Sequence, residues 1–289
     1  MGIGLFSLGL HAFLAWGFAL QGWLGEPLGA VGCALSNVLV AWLACLSGAL
    51  YLAFGPLGRR YRPFANWALP QWATWRELLR LGVPMGLSNL VEITSFTLIS
   101  LFIASLGATV VAGHRIVANL SALTYMLPLS LAIATMAALG QAVGAHDRVR
   151  ARATIRAGLW LAAGSSSLVG LLLWLAAEPV VNAYTDDPGV RLVAVGLVGY
   201  VALYQFFDAL QTVAGHCLRA YRVTFVPMLV QTFCFWGIGL LGGGWLCYRA
   251  PTPLGVAGFW LASVVSLIFA AGLLLPLLRK ALTASESMS

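Results

Sequence analysis

Charge is what this sequence has least of. Only 9% of its 289 residues are Asp, Glu, Lys or Arg, against about a quarter in an average soluble domain. That shortage excludes an ordinary water-solvated surface. No Lys or Arg precedes Arg59, so the first apolar run lacks the basic n-region of a secretory signal peptide. Cysteine is also sparse. Cys33, Cys45, Cys217, Cys234 and Cys247 form no CxxC pair and stand at no ligand spacing from a histidine, which argues against a disulfide framework or a zinc site. They read as small buried hydrophobes. The four histidines, His11, His114, His146 and His216, are equally scattered. HExxH, GxSxG and Asp-rich prenyl-phosphate motifs are missing, so the chain does not read as an enzyme and calls for no cofactor.

What fills the chain instead is hydrocarbon. Hydrophobic residues make up 61% of the sequence and the mean hydropathy is +0.91. Runs long enough to cross ~30 Å of lipid recur throughout. Eight are expected, near 2–22, 29–54, 82–106, 116–143, 157–177, 190–216, 224–248 and 254–278. The fold class is therefore all-α, a polytopic membrane protein.

The few basic residues carry topology. Of sixteen Lys and Arg, thirteen fall in the connections 55–81, 144–156 and 217–223 or after the eighth span; Arg115, Arg191 and Arg249 fall on the opposite side. By the positive-inside rule the rich side is cytoplasmic, with both termini inside. The net charge of +7 is thus dealt out loop by loop and requires no nucleic acid, whose site would gather it on one face. The connection 55–81 also holds Trp67, Trp72 and Trp75 beside Leu78 and Leu79, which predicts an amphipathic helix at the cytoplasmic interface, linking two lobes.

An internal repeat sets the domain scheme. "PLGAVGCALSNV" at 27–38 and "PLGVAGFWLASV" at 253–264, offset by 226 residues, agree at six of twelve positions, and the preceding "FLAWGFAL" at 13–20 matches "FCFWGIGL" at 233–240. The first two spans thus repeat the last two in the same direction, a parallel repeat of the kind found in two-lobed transporters. The expected domains are 1–54, the last two helices of an N-terminal lobe; 55–81, the linker; 82–278, a six-helix C-terminal lobe; and 279–289, a cytoplasmic tail. On this scheme about 145 residues, four helices of a 6+6 architecture, belong upstream as a separate or preceding segment.

Two carboxylates, Glu92 and Asp208, stand within otherwise uncharged spans. A charge at bilayer depth costs several kcal/mol, so such residues usually mark ion or substrate paths. Tyr204, Asp208 and Gln211 share one helical face at i, i+4 and i+7, and Ser88, Glu92 and Ser95 share another. A proton would neutralise this pair, and so would a hard cation taking oxygen ligands, such as sodium.

The stretch "LGVPMGLSNLVEITSFTLISLFIASLGATVVAGHRIVANLSALTYMLPLSLAIATMAALGQAVGAHD" at 81–147 resembles helices seven and eight of the multidrug and toxic compound extrusion (MATE) family. "YTDDPGV" at 184–190 and "LYQFFDALQTVAGHCLRAYR" at 203–222 resemble its loop nine–ten and helix ten. The resemblance covers essentially the whole chain, as the C-terminal two-thirds of such a protein. It implies a cation-coupled antiporter, driven by sodium or protons, that exports organic-cation drugs and toxic compounds across the inner membrane. It further implies a cation site of Glu92, Asp208, Asn119 and Tyr204, with Glu92 and Asp208 as the sodium ligands if sodium is the ion. In "AGHR" at 112–115 the chain departs from the pattern, which has Gln where Arg115 stands. A lipid-linked saccharide flippase of related architecture and an inactive truncated remnant are the alternative readings.

Overall fold

The computed structural model describes residues 2–23, 25–55 and 71–287, and the described residues are almost entirely helical. The helices are α1 (Gly2–Ala19), α2 (Gly29–Phe54), α3 (Trp72–Ile103), α4 (Ala108–Gly144), α5 (Arg148–Leu175), the short α6 (Ala177–Asn182), α7 (Pro188–Ala220), α8 (Phe225–Tyr248) and α9 (Val256–Ser287). All except α1 and α6 are long and apolar enough to cross a membrane, seven in number; α1 is a shorter apolar helix. Most of their large side chains face outward, including Trp42, Phe54, Trp160 and Leu192, as expected where the solvent is lipid. This is a multi-pass membrane protein.

Local chemistry sets the helix ends. Asp187 caps α7 by accepting from the amides of Gly189 (2.7 Å) and Val190 (3.2 Å), with Pro188 at the first helical position, where its missing N–H costs nothing. Asp147 caps α5 in the same way through the Arg150 amide at 2.9 Å. Gly107, at φ 103°, makes the sharp turn between α3 and α4, a backbone state open to glycine at little cost.

The chain divides into two compact units, Met1–Gln71 and Trp72–Ser289. In the first, α1 and α2 pack as a pair, with Phe13, Trp16 and Phe18 all set around Trp23. In the second, α7 is the hub. It lies against α4, α5 and α9, while α3 packs mainly on α8 and α8 on α9. The second unit begins at Trp72, within the stretch 55–81 expected as the linker. Residues 72–81 are the first turns of α3 and run without interruption into its span, since nothing between Trp72 and Leu81 stops a helix. The expected interfacial helix is not a separate element there. Its other part, with Trp67, lies outside the described residues.

The repeat holds in backbone detail. Gly29 and Gly255, which correspond in the alignment, both have positive φ, 52° and 57°, just before α2 and α9. Gly32 and Gly258 also correspond, and each lets its helix press on the backbone of the preceding one. An added Cβ would lie 2.7 Å from the Ala19 nitrogen in the first case and 2.9 Å from the Cys247 nitrogen in the second. The matched glycines are thus retained by geometry, which composition alone would not require. One difference separates the copies. The middle of α8, Phe233–Gly242, is a π-helix, whereas its counterpart in α1 is α-helical. This wide segment is tied to α3: Ser95 Oγ donates to the Phe235 carbonyl at 3.1 Å, and Trp236 Nε1 donates to the Val91 carbonyl at 3.2 Å.

Candidate functional site

A cavity of about 660 Å³ opens between α3 and α4, floored by α7 and α9. The two walls, joined by the tight turn at Gly107, barely touch along their length because α3 is drawn toward α8 and α4 toward α7. Glu92, Phe96 and Ser100 come from α3, Ser121 and Tyr125 from α4, Tyr204 and Asp208 from α7, and Trp260 from α9. The spacing of the wall residues on α3 and α4 follows one helical face in each case.

Glu92 and Asp208 both line this cavity, and the charge of Glu92 acts on Asp208. Asp208 is 2% exposed. Its Oδ1 accepts from Gln211 Nε2 at 3.0 Å; Gln211 also donates to Thr212 Oγ1 at 3.1 Å and accepts from Gln231 Nε2 at 3.2 Å. This buried chain satisfies part of the carboxylate's acceptor capacity and fixes its rotamer, leaving the remaining oxygen capacity for a cation or proton. Tyr204 is buried beside it, with its ring edge-on to Phe96 and Trp260, both at 6.0 Å. The structure thus brings Glu92, Asp208 and Tyr204 to one place.

Asn119 is not brought there. It is exposed, and its Oδ1 accepts from the hydroxyl of Tyr184 at 3.0 Å. The reason is angular. Successive residues of an α-helix turn by about 100°, and Ala118, Ala122 and Tyr125 define the cavity face of α4, so Asn119 points well to one side. Of the four expected residues, three line the cavity and Asn119 lies apart from it. The position on α4 that does face the carboxylates is Tyr125, which the sequence reading missed. Its face was legible, since Ser121 and Tyr125 are four apart and Tyr125 is three from Ala122, but a lone tyrosine in a span has no signature.

Tyr125 and Glu92 also line a second cavity of about 420 Å³, with Asn89, Gln211, His216, Arg219 and Gln231 among its other walls. These two side chains therefore form part of the partition between the cavities. Arg219 reaches Asn89 Oδ1 and His216 Nε2 at 3.5 Å each, and its charge acts on Glu92. At the other end of the larger cavity stand His114, whose Nε2 bonds Ser100 Oγ at 3.2 Å, and Arg115. Among the described residues no group of three or more His, Cys, Asp or Glu could hold a metal ion. A cation here would rely on two carboxylates and neutral oxygens.

Fold and site together define a polytopic helical membrane protein with two carboxylates lining one cavity. The MatE family matches residues 84–244. The chain is 52% identical to the probable multidrug resistance protein NorM of Aromatoleum aromaticum, over 93% of this chain and 59% of that protein. It is 39% identical to the protein of the same name from Chromobacterium violaceum, over 95% of this chain and 59% of that one. Among solved structures, that of the eukaryotic MATE transporter AtDTX14 superposes with a TM-score of 0.85 over 99% of this chain and 64% of that chain, at 18% identity, a likeness of fold. The chain belongs to the MatE family. It spans about 59% of the length of the curated relatives it matches.

Proposed function

We propose that this chain is the C-terminal part of a cation-coupled antiporter that exports organic-cation drugs and toxic compounds from the cytoplasm across the inner membrane, with sodium or protons as the coupling ion. The observation that carries this reading is the placement of Glu92 and Asp208 on one cavity among apolar walls. Two carboxylates in that setting repel each other and are costly to keep charged, so the site favours capture of a proton or a hard cation. Tyr204 and Tyr125 add hydroxyl oxygens and aromatic faces, both suited to a cation. Neutralising the pair would favour one arrangement of the transporter, and an organic cation would favour the other; exchange then follows from the difference in affinity of each ligand for the two states. The arginine-rich loops support cytoplasmic termini. The curated relatives are named as probable multidrug resistance proteins, which supports a drug as the cargo.

Arg115 at the outer end of the cavity is the observation that favours an anionic cargo, such as a lipid-linked saccharide. It is exposed, whereas Asp208 is buried, so the acidic end dominates the dry part of the cavity.

The test is ethidium efflux from cells stripped of their own pumps, expressing this chain alone or extended upstream to the length of its relatives. The extended chain should export, faster under an imposed sodium or proton gradient, and Glu92→Gln or Asp208→Asn should abolish export at unchanged expression. Export at the original rate in both variants would overturn the assignment of the site. Efflux by the 289-residue chain itself would show that the upstream helices are dispensable.

A further inference from the structure

The smaller cavity, of about 420 Å³, meets the larger one at Glu92, Ile93 and Tyr125, which line both. Beyond them it runs to the arginine-rich edge, where α7 ends. Among its described lining residues Glu92 is the one acid and Arg219 the one permanent cation. Arg219 is half-buried, and both groups that hold it are neutral. His216 Nδ1 donates to the Thr212 carbonyl at 2.8 Å, so the Nε2 that faces Arg219 is the accepting nitrogen of an uncharged ring. The other acceptor is Asn89 Oδ1, and both contacts are 3.5 Å. That is the long limit for a hydrogen bond, so the guanidinium is loosely tied. Asn89 stands three residues before Glu92 on α3, and side chains at that spacing are neighbours on one helical face. The guanidinium thus rests one side-chain step from the Glu92 carboxylate, and its charge acts there.

We propose that Arg219 is a tethered rival of the coupling cation: when the ion leaves Glu92 and Asp208, the guanidinium moves from Asn89 onto the Glu92 carboxylate, and a returning ion displaces it. This rests on the reading of Glu92 and Asp208 as the cation site. An emptied site otherwise leaves two bare carboxylates among apolar walls, and an uncompensated charge in such a place is strongly destabilising. Arginine stays charged at any working pH, so the substitute is always available. Its planar fork matches a carboxylate at two points, whereas Asn89 offers it one oxygen and His216 one nitrogen. The approach is through the smaller cavity, so cargo in the larger one does not obstruct it. Arg222, three residues further on, shows the contrasting pattern of an arginine already committed, paired with Glu77 at 2.8 Å. The device weakens ion binding, because the ion has to displace a charge already at hand, and it speeds release.

The experiment is calorimetric titration of the purified full chain in neutral detergent with sodium chloride, choline chloride holding the ionic strength constant. Arg219→Gln should bind sodium about tenfold more tightly than the parent. Arg219→Lys keeps the charge and should stay within about threefold of the parent. Arg222→Gln removes the same charge from the same edge and should change nothing. In the chain extended to the length of its relatives, Arg219→Gln should also export ethidium more slowly at saturating sodium, since release is no longer assisted. Tighter binding with slower turnover is a split that a misfolded variant does not produce. Sodium binding by the parent that is lost in Glu92→Gln but equal or weaker in Arg219→Gln would overturn the role of Arg219 and leave the cation site standing. Tightening by Arg222→Gln as large as that by Arg219→Gln would overturn it too, as a general effect of charge. No sodium binding by either the parent or Arg219→Gln would overturn the proposal together with the sodium site it rests on.

Discussion

Alanine placed at two glycines of the same helix should act in opposite directions. Gly258 and Gly272 both lie in α9. An added Cβ at Gly258 would lie 2.9 Å from the Cys247 nitrogen, 3.0 Å from the Leu246 carbonyl carbon and 3.1 Å from the Leu246 Cβ, whereas at Gly272 nothing lies within 4 Å. The first set is mostly backbone and cannot step aside by rotating a side chain. Gly272→Ala gains only the helical preference of alanine, worth about 0.5–1 kcal/mol. Gly258→Ala shares at most that gain and adds an overpacking cost of about 1–3 kcal/mol. In the difference between the variants the common gain largely cancels, leaving about 1–3 kcal/mol, roughly one to two decades in the folded-to-unfolded ratio. Equilibrium unfolding of the purified protein in mixed micelles of increasing denaturing detergent reads this difference, with Gly272→Ala at or above the parent and Gly258→Ala below it. If Gly258→Ala unfolds with or after Gly272→Ala, the close approach of α9 to α8 is not what retains the glycine, and the structural argument for the repeat fails. Gly32→Ala, the corresponding substitution in α2, should behave like Gly258→Ala.

The site makes further demands. Gln211→Leu strips Asp208 Oδ1 and Gln231 Nε2 of their shared partner, and should cost about 1–3 kcal/mol in unfolding experiments and weaken coupling-ion binding measured by calorimetry. Asn119→Ala should leave ethidium export within about twofold of the parent because its side chain points to Tyr184, whereas Tyr125→Ala should reduce export more than tenfold, each tenfold corresponding to about 1.4 kcal/mol; the opposite ranking would restore Asn119 to the site. Glu77→Gln should change unfolding by less than about 1 kcal/mol, since its 2.8 Å pair with Arg222 is exposed on both sides.

Family membership, seen in the motif stretches at 81–147 and 203–222, is borne out by the MatE match over residues 84–244. The all-α membrane class was equally legible, because a backbone in hydrocarbon has to satisfy its own hydrogen bonds and long apolar runs leave only the helix. So was the repeat: Gly29 with Gly255 and Gly32 with Gly258 are single residues whose identity is dictated by backbone geometry. Glu92 and Asp208 stood out for the same kind of reason, since each is costly where it stands. What the chain of letters left open was everything that depends on which helix faces which. Helical spacing ties Glu92 to Ser88 and Asp208 to Tyr204, but only packing on α7 and α8 turned both stripes toward one cavity. The same packing turned Asn119 out and Tyr125 in, a difference of rotation that no local preference encodes. The π-helical middle of α8 and the partition of two cavities at Glu92 and Tyr125 likewise depend on contacts between residues distant in sequence. Burial cost selects residue type and is therefore written along the chain; direction is set by the fit of whole helix surfaces, and appears only when the helices are assembled.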